Sequence, residues 1–387
     1  MSHDISTGTG ERRTMKKLLL VIAVALIAWL VYALAWPTRF APEAWQPVRA
    51  DTATAKPAPL AKVTRLAETA GTGPETVITG PNDALYAGYD DGTVHRLARD
   101  ASARITLDTV IADTNGRPLG LAFAPPGTPA ASAGTLYIAD ADKGLIAVDE
   151  APTRNDATDG LRLLTDTANG TPFRFTDDVV VADDGRLYFT DASSRWPQPD
   201  YRTVILEHAG DARLMVYDPA TDTTRVLLDG LQFANGITLS KDQRYLLINE
   251  TSAYRVRRYW LRGEQAGTND IFIDGLPGFP DGISRAQGAD VYWIALFAPR
   301  NALLDFAADK PILRRLTWHL PAALQPQAAH ESHILAVDDQ ARIVADLVDD
   351  ADSAYAPITS VEQIGNILLL GSLERAAIGR LAAPTLP

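Results

Sequence analysis

The sequence predicts an all-β protein, a six-bladed β-propeller carried on an N-terminal transmembrane helix. Three observations predict this class: one long uncharged apolar run near the N-terminus, six repeated units of short apolar strands and polar turns, and no amphipathic helical pattern after the run, apart from short turns near residues 319–327. Of the 387 residues, 46% are hydrophobic, which is enough for a large buried core. Because stacked repeats share one continuous core, a chain of this length needs no division into several domains.

The apolar run extends from Leu18 to Trp36 and contains no charged residue. At 1.5 Å rise per residue a helix of this length spans roughly 28 Å, close to the hydrocarbon thickness of a bilayer. The tail of residues 1–17 is basic next to the run, which predicts a cytoplasmic N-terminus and an exported body, as in a bacterial periplasmic protein. A cleaved signal peptide is the alternative, because Ala33-Leu34-Ala35 fits a small-x-small cleavage site.

Residues 37–59, rich in Ala, Pro and Thr towards their end, are predicted to form a linker, and residues 60–387 are predicted to form the propeller.

Composition limits the partners of the exported body. The formal net charge is −12, and an acidic surface repels phosphate backbones, which argues against a nucleic-acid partner. The chain has no cysteine, so disulfides and thiolate metal or redox sites are excluded.

The repeated unit predicts one four-stranded sheet per copy. Each copy has an apolar strand, a turn with Gly or Asp, a second strand that usually carries Tyr, a polar turn and a third strand, as in D-V-V-V-A-D-D-G-R-L-Y-F-T-D at residues 178–191. The equivalent Tyr86, Tyr137 and Tyr188 are each about 51 residues apart. A β-solenoid would need shorter repeats, and paired β-sandwiches would not repeat at this spacing, so the pattern favours a propeller.

The starts of the first strands predict a metal site, because the first strand of every blade lines the central channel. In units one, three, four and five these positions hold Glu75, Asp177, Asn235 and Asp281. Each pair of carboxylates at about 4 Å costs about 4 kcal/mol at an effective dielectric near 20, so protons or a cation must offset the repulsion. All-oxygen ligands favour a hard cation, and calcium tolerates an irregular ring better than magnesium. Singly, each residue also fits a turn, as Asn-Gly and Asp-Gly often do.

Two further groups of polar residues receive different predictions. Asp140, Asp191 and Glu250 end second strands at matching positions, and we expect them to accept hydrogen bonds within blade turns rather than bind a metal. Ser193, Arg195 and Tyr201 follow the second strand of the third unit, where they are candidates for substrate binding. A purely structural loop is the alternative for all three.

Several segments resemble the strictosidine synthase-like family, whose relatives include adipocyte plasma membrane-associated protein, the gluconolactonases and the paraoxonases. The matching segments are G-P-E-T at residue 73, G-T-P-F-R-F-T-D-D-V-V-V-A-D-D-G-R-L-Y-F-T-D-A-S-S at residue 170, G-L-Q-F-A-N-G-I-T-L-S at residue 230, E-T-S-A-Y-R-V-R-R-Y-W-L at residue 250, G-L-P-G-F-P-D-G-I at residue 275 and Y-A-P-I-T-S-V at residue 355. The resemblance covers roughly residues 66–381 and implies a six-bladed propeller with calcium in the tunnel of the hydrolytic relatives.

The resemblance also implies a ligand set of one Glu, two Asn and one Asp. Position by position these ligands correspond here to Glu75, Asp177, Asn235 and Asp281. Two departures stand out: Asp177 occupies a position where the relatives usually carry Asn, and Gly282 replaces an Asn that often follows the Asp. The extra carboxylate would either strengthen cation binding or hold a proton.

The activity implied by the resemblance is calcium-dependent hydrolysis of a small-molecule lactone or related ester. Asp281 or Asp177 would serve as general base or as nucleophile, and analogy with related hydrolases favours Asp281. Two alternatives are a condensing enzyme of the strictosidine synthase type and a non-catalytic binding module whose blades calcium holds together. The fold cannot decide between them, since propellers carry unrelated functions. The sequence offers no counterpart of the catalytic Glu of strictosidine synthases or of the paraoxonase histidine pair.

Overall fold

The predicted six-bladed β-propeller with an N-terminal apolar helix is confirmed by a computed structural model, which describes residues 8–50, 58–60, 62–68, 70–100, 104–125, 127–128, 134–149, 160–286 and 290–386. Within these residues six sheets of four antiparallel strands follow one another along the chain. A separate two-stranded hairpin, Thr167–Ala168 with Thr171–Pro172, lies in the connection between the second and third of these sheets.

The blades have the following strands, given from the channel outward. Blade 1 has Val77–Thr79, Leu85–Gly88, Thr93–Arg99 and Ile105–Asp113; blade 2 has Pro118–Phe123, Thr135–Asp140, Gly144–Asp149 and Leu161–Thr165; blade 3 has Thr176–Val181, Leu187–Asp191, Ala212–Asp218 and Thr223–Leu231. Blade 4 has Ala234–Leu239, Tyr245–Glu250, Arg255–Trp260 and Asn269–Ile273; blade 5 has Gly278–Arg285, Val291–Pro299, Ser332–Asp338 and Ile343–Asp349; blade 6 has Ser360–Ile364, Ile367–Gly371, Ile378–Ala382 and Thr64–Leu66.

The ring is closed by a strand from the beginning of the body. Thr64–Leu66 pairs antiparallel with Ile378–Ala382, so the outer strand of blade 6 precedes blade 1 in the sequence. Ala58–Pro59 adds in parallel to the outer strand of blade 5. These pairings join the two ends of the body, and closure leaves only short outer edges exposed.

The hydrophobic core lies between neighbouring blades rather than on the axis. Six clusters of buried apolar residues each combine residues from two adjacent blades, as with Val179 and Phe189 of blade 3 packed against Tyr137 and Leu145 of blade 2. Since the apolar faces of the sheets are buried against each other, the axis remains free for polar side chains.

Four α-helices accompany the strands in the described part of the chain: α1, Gly8–Ala35; α2, Tyr201–Glu207; α3, Ala302–Ala307; and α4, Pro311–Trp318. Single 3-10 turns occur at Pro81–Asp83, Gln198–Asp200, Thr251–Ala253 and Ala322–Leu324. By length and composition the 23 residues Arg13–Ala35 of α1 could cross a membrane. Helices α2, α3 and α4 are not predicted from the sequence, because helices of 6 to 8 residues are too short to show a clear periodicity.

The segment after α1 lies against the body as far as residue 50. Phe40 is buried and its ring stacks on Trp318 at 4.8 Å, while the ring of Trp45 stacks on His208 at 4.1 Å. The backbone N–H of Ala41 donates a hydrogen bond to the Glu207 carboxylate. Residues 37–50 contain no helix or strand, and residues 51–57 of the predicted linker lie outside the described residues.

Candidate metal and catalytic site

The structure places all four predicted ligands around one cavity on the axis. Glu75, Asp177, Asn235 and Asp281 line a space of about 30 Å³, and each residue is at most 6% exposed. The rest of the lining is mainly apolar: Leu119, Phe175, Gln198, Tyr201, Ile205, Phe233, Thr251, Phe297 and Leu373. We refer to this space as the ring cavity. The four predicted ligands come from four blades and are separated by up to about 200 residues of sequence.

The backbone of Glu75 is held by the last blade. The hydroxyls of Thr359 and Ser360 donate hydrogen bonds of 2.8 and 2.7 Å to the Glu75 carbonyl oxygen. Glu75 precedes the first strand of blade 1, where no regular ladder fixes it. The position of its side chain therefore depends on closure of the ring between blades 6 and 1.

Asn235 and Asp281 are held in the same way by the blade before them. The Thr190 hydroxyl donates to the Asn235 carbonyl at 2.8 Å, and the Asn249 side-chain amide donates to the Asp281 carbonyl at 2.6 Å. Neither positioning residue, Thr190 or Asn249, is predicted from the sequence. A usable signal was present, because each directly precedes the acidic residue that ends a second strand.

The glycines that follow two of the ligands allow neighbouring blades to approach closely. A Cβ on Gly236 would lie 2.6 Å from the Asp281 carbonyl oxygen, and a Cβ on Gly282 would lie 2.5 Å from the Thr359 carbonyl oxygen. Both glycines lie within inner strands, so the alternative that they mark Asn-Gly and Asp-Gly turns is wrong. The crowding also explains why position 282 carries no side chain in this protein.

Burial dominates the electrostatics of the ring cavity. Loss of solvation raises the pKa of Asp177 and of Asp281 well above the usual range, and the nearby Glu75 carboxylate raises both further. Burial likewise raises the pKa of Glu75 to about 8, although the charge of Arg117 opposes the rise. A hydrogen bond from the Asn235 side chain partly counteracts the shift at Asp281. The site therefore holds either protons or a cation.

The oxygen ligands fit a hard cation, although their side chains are not close enough together to coordinate one ion in the arrangement that the structure shows. Among the described residues, no group of three or more His, Cys, Asp or Glu side chains is close enough to hold a metal ion. However, the Glu75 Oε2 atom is buried without a hydrogen-bond partner, which is a costly state for a carboxylate oxygen. Three carboxyl groups and one amide facing a small cavity match the ligand chemistry of calcium. Glu75, Asp177, Asn235 and Asp281 are the residues that would hold it.

A fourth acidic residue, Asp178, lies next to the ring cavity and was not among the predicted ligands. Asp178 accepts hydrogen bonds from the backbone N–H groups of Val179 and Ile237, at 2.8 and 2.9 Å. Burial raises its pKa to about 7 despite these bonds. It lines a larger cavity of about 390 Å³ formed by the inner strands, away from the helices. Because both bonds pin its carboxylate to backbone, we assign Asp178 to positioning of blades 3 and 4.

Of the three predicted substrate-binding residues, the structure brings only Tyr201 to the ring cavity. The Ser193 hydroxyl is fully buried and donates to the Asp211 carboxylate at 2.6 Å. Arg195 forms an ion pair of 3.1 Å with Glu207. Ser193 and Arg195 thus order the loop that leads to α2, whose first residue is Tyr201.

The prediction that the strand-ending acids accept turn hydrogen bonds is confirmed. Asp140, Asp191 and Glu250 each accept a backbone N–H from the segment that enters the same blade; the donors are Arg117, Phe175 and Gln232, at 3.2, 3.1 and 2.9 Å. Asp191 and Glu250 also pair with arginines of the third strand, Arg213 and Arg255. These contacts fix where each inner strand begins.

An apolar cavity adjoins the ring cavity between α2, α3 and blade 5. Its volume is about 90 Å³, and its walls include Ile205, Leu206, Phe279 and Leu304. Tyr201, Ile205 and Phe297 line both cavities. A molecule with a polar group at the ring could therefore place an apolar part beside it.

Sequence comparisons identify relatives over most of the chain. A family model described as strictosidine synthase matches residues 177–264, and a second model, strictosidine synthase-like, N-terminal, matches residues 58–97. The adipocyte plasma membrane-associated protein of Rattus norvegicus is 33% identical over 339 residues, which cover 84% of this chain and 86% of the relative.

Structure comparisons find the same fold in more distant proteins. A gluconolactonase from Xanthomonas campestris superposes with a TM-score of 0.55 and 15% identity, over 89% of this chain and 99% of that chain. Regucalcin, a calcium-binding protein from Agrobacterium tumefaciens, superposes with a TM-score of 0.54 and 16% identity, over 84% and 96% of the two chains. At these identities the likeness shows the fold alone.

Proposed function

The chain belongs to the strictosidine synthase-like family, which includes adipocyte plasma membrane-associated protein, and from this premise we propose that it is a calcium-dependent hydrolase of lactones or related esters. The observation that carries the proposal is the convergence of Glu75, Asp177, Asn235 and Asp281 on one small, largely apolar cavity. The fold shared with a gluconolactonase and with calcium-binding regucalcin supports it.

Calcium bound at the ring would polarise the substrate carbonyl and stabilise the negative charge that develops on its oxygen. Asp281 is the proposed general base, since its carboxyl group faces the ring cavity, where calcium would keep it ionised and able to accept a proton from water. The water oxygen bonds to the carbonyl carbon, the ester C–O bond breaks, and Asp281 returns its proton to the departing alkoxide. The Asn235 amide holds the Asp281 carboxylate, and the backbone of Asp281 is fixed by Asn249.

A membrane location accompanies this activity. The apolar helix α1 and the similarity to a plasma membrane-associated protein fit a membrane-anchored protein. We further propose that the N-terminus is cytoplasmic and that the propeller is exported, into a bacterial periplasm, because basic residues directly precede the apolar run. A reporter fused to either end, active only on one side of the membrane, tests this orientation.

Condensation of the strictosidine synthase type is a second candidate, favoured by the family model that matches residues 177–264. This candidate would require an acid–base carboxylate in the tunnel but no metal. The calcium-stabilised binding module is the third possibility and would require metal for stability alone.

Metal dependence distinguishes these functions. We expect the full-length protein in detergent to hydrolyse members of a panel of lactones and aryl esters, to lose that activity in chelator and to regain it when calcium is added back. Melting temperature measured on the same samples separates loss of activity from loss of fold. Hydrolysis that persists in chelator would contradict the proposal, and calcium-dependent melting without any hydrolysis would favour the binding module.

The stabilisation by calcium is expected to increase from pH 5 to pH 8. Without metal, burial raises the pKa of Glu75 to about 8 and that of Asp177 and Asp281 in the same direction, so the folded protein binds more protons than the unfolded chain. Its stability therefore falls as the pH rises through this window. Calcium must displace those protons, and its apparent affinity should rise up to about tenfold per pH unit for each proton displaced.

Melting curves with calcium and with chelator, recorded at each pH, measure this stabilisation. A gain in melting temperature that is the same at pH 5 and pH 8 would show that the ring carboxyls are not the calcium ligands.

A further inference from the structure

We propose that α3 and α4 form a second membrane contact, a surface that enters the interfacial region of the same bilayer that α1 spans. This surface, the α3–α4 patch, consists of Leu303, Phe306, Ile312 and Leu313. It is distinct from the ring cavity, and the proposal stands without any assumption about catalysis.

The patch exposes more apolar surface than scattered single residues would. Leu303 and Phe306 on α3 are 55% and 60% exposed, while Ile312 and Leu313 on α4 are 64% and 37% exposed. The two helices contact each other, so the four exposed side chains lie on one pair of packed helices. Leu324, in the 3-10 turn that follows, is 67% exposed. A connected apolar surface of this kind marks a contact with a partner or with a membrane.

Direct contacts with α1 identify the bilayer as that partner. The Arg315 guanidinium of α4 donates hydrogen bonds to the carbonyl oxygens of Ala33 and Trp36, at 3.1 and 2.8 Å. The last carbonyls of a helix have no partner within the helix, so Arg315 caps the end of α1. The Tyr32 ring packs edge-on against His319 at 5.3 Å. Helix α4 is therefore fixed at the depth of the last turn of α1.

That depth corresponds to the membrane interface. The uncharged run Leu18–Trp36 makes a helix about 28 Å long, close to the thickness of the hydrocarbon core of about 30 Å. With the charged residues before Leu18 on one side of the membrane, the last turn of α1 lies at the opposite interface, where Tyr32 and Trp36 are typical residues. Ile312 is three residues before Arg315 and hence on the same face of α4. The face that holds α1 therefore also presents Ile312 towards the bilayer.

The helices that carry the patch also adjoin the site. The Trp318 indole N–H of α4 donates to the Thr203 hydroxyl of α2 at 3.2 Å, and α2 supplies Tyr201 to the ring cavity. Leu304 of α3, next to Leu303 of the patch, lines the adjoining apolar cavity. If the proposed hydrolase activity holds, this arrangement favours amphiphilic esters or lactones that partition into the membrane. That consequence rests on the proposed function, whereas the membrane contact does not.

Single-cysteine labelling tests the contact, because the chain has no cysteine of its own. Ile312→Cys and Phe306→Cys would be labelled with an environment-sensitive fluorophore in the full-length protein, reconstituted in phosphatidylcholine nanodiscs with and without brominated lipid. Leu163→Cys and Leu107→Cys are matched controls, since these side chains are 57% and 56% exposed on the outer strands of blades 2 and 1. Blade 2 lies across the ring from blade 5, which carries α3 and α4.

We expect brominated lipid to reduce the fluorescence at both patch positions at least twofold and to leave both control positions unchanged. Equal fluorescence with and without brominated lipid at 306 and 312 would overturn the proposal. So would efficient disulfide formation between two Ile312→Cys chains without quenching, because the patch would then be a contact between copies. Melting temperatures of the four variants verify that each is folded, and two positions per group guard against one failed variant.

Discussion

Asp281→Asn is expected to lower kcat/KM for lactone or ester hydrolysis at least about a hundredfold, because an amide cannot accept the proton of the attacking water. The substitution keeps the size of the side chain, and its neighbour Asn235 is unchanged. It also removes one of three mutually repelling carboxyls, so the calcium-free variant should melt at or above the temperature of the parent. Steady-state kinetics at saturating calcium, together with melting curves, measure both effects.

Two matched variants sharpen this test. Asp229→Asn changes an exposed carboxylate on the outer strand of blade 3 and should leave activity unchanged. Asp177→Asn removes a ring carboxyl but keeps the proposed general base Asp281, so its loss of activity should be smaller than that of Asp281→Asn. A larger loss for Asp177→Asn would make Asp177 the general base, and full activity in Asp281→Asn would refute the proposed mechanism.

Glu250→Gln is expected to destabilise the protein more than any exposed charge change. The Glu250 carboxylate is completely buried and forms ion pairs of 2.6 and 2.8 Å with Arg255 and Arg257. It also accepts a hydrogen bond from the backbone N–H of Gln232. Although burial opposes it, hydrogen bonding and charge from these arginines hold the pKa of Glu250 below its usual value. Breaking a buried ion pair on one side costs about 3–5 kcal/mol, because the partner charges lose their compensation.

The matched control for this substitution is Asp270→Asn in the same blade. Asp270 pairs with Arg258 at 2.9 Å, but its side chain is 39% exposed, and such surface pairs contribute about 1 kcal/mol or less. Denaturant unfolding of both variants gives the two free energies of unfolding. Similar losses for Glu250→Gln and Asp270→Asn would show that the buried cluster does not stabilise blade 4 as argued.

The sequence by itself was sufficient for the repeated parts of the molecule. Strand alternation and the spacing of Tyr86, Tyr137 and Tyr188 predicted the blades, and the uncharged run from Leu18 to Trp36 predicted α1. Because every blade places its first strand on the axis, equivalent positions in the repeat sufficed to find Glu75, Asp177, Asn235 and Asp281. Local patterns of this kind can be recognised in the sequence without knowing which distant segments are in contact.

Only the tertiary structure determined how the ring closes and what its polar residues contact. Thr64–Leu66 joins Ile378–Ala382 across about 310 residues, and Thr359 holds the backbone of Glu75 across 284 residues. Neither pairing leaves a periodic pattern in the sequence. The helices α2, α3 and α4 are too short for their periodicity to be recognised, and the roles of Gly236 and Gly282 depend on the distance between neighbouring inner strands. These features arise from contacts between segments far apart in the chain, which a repeat pattern does not encode.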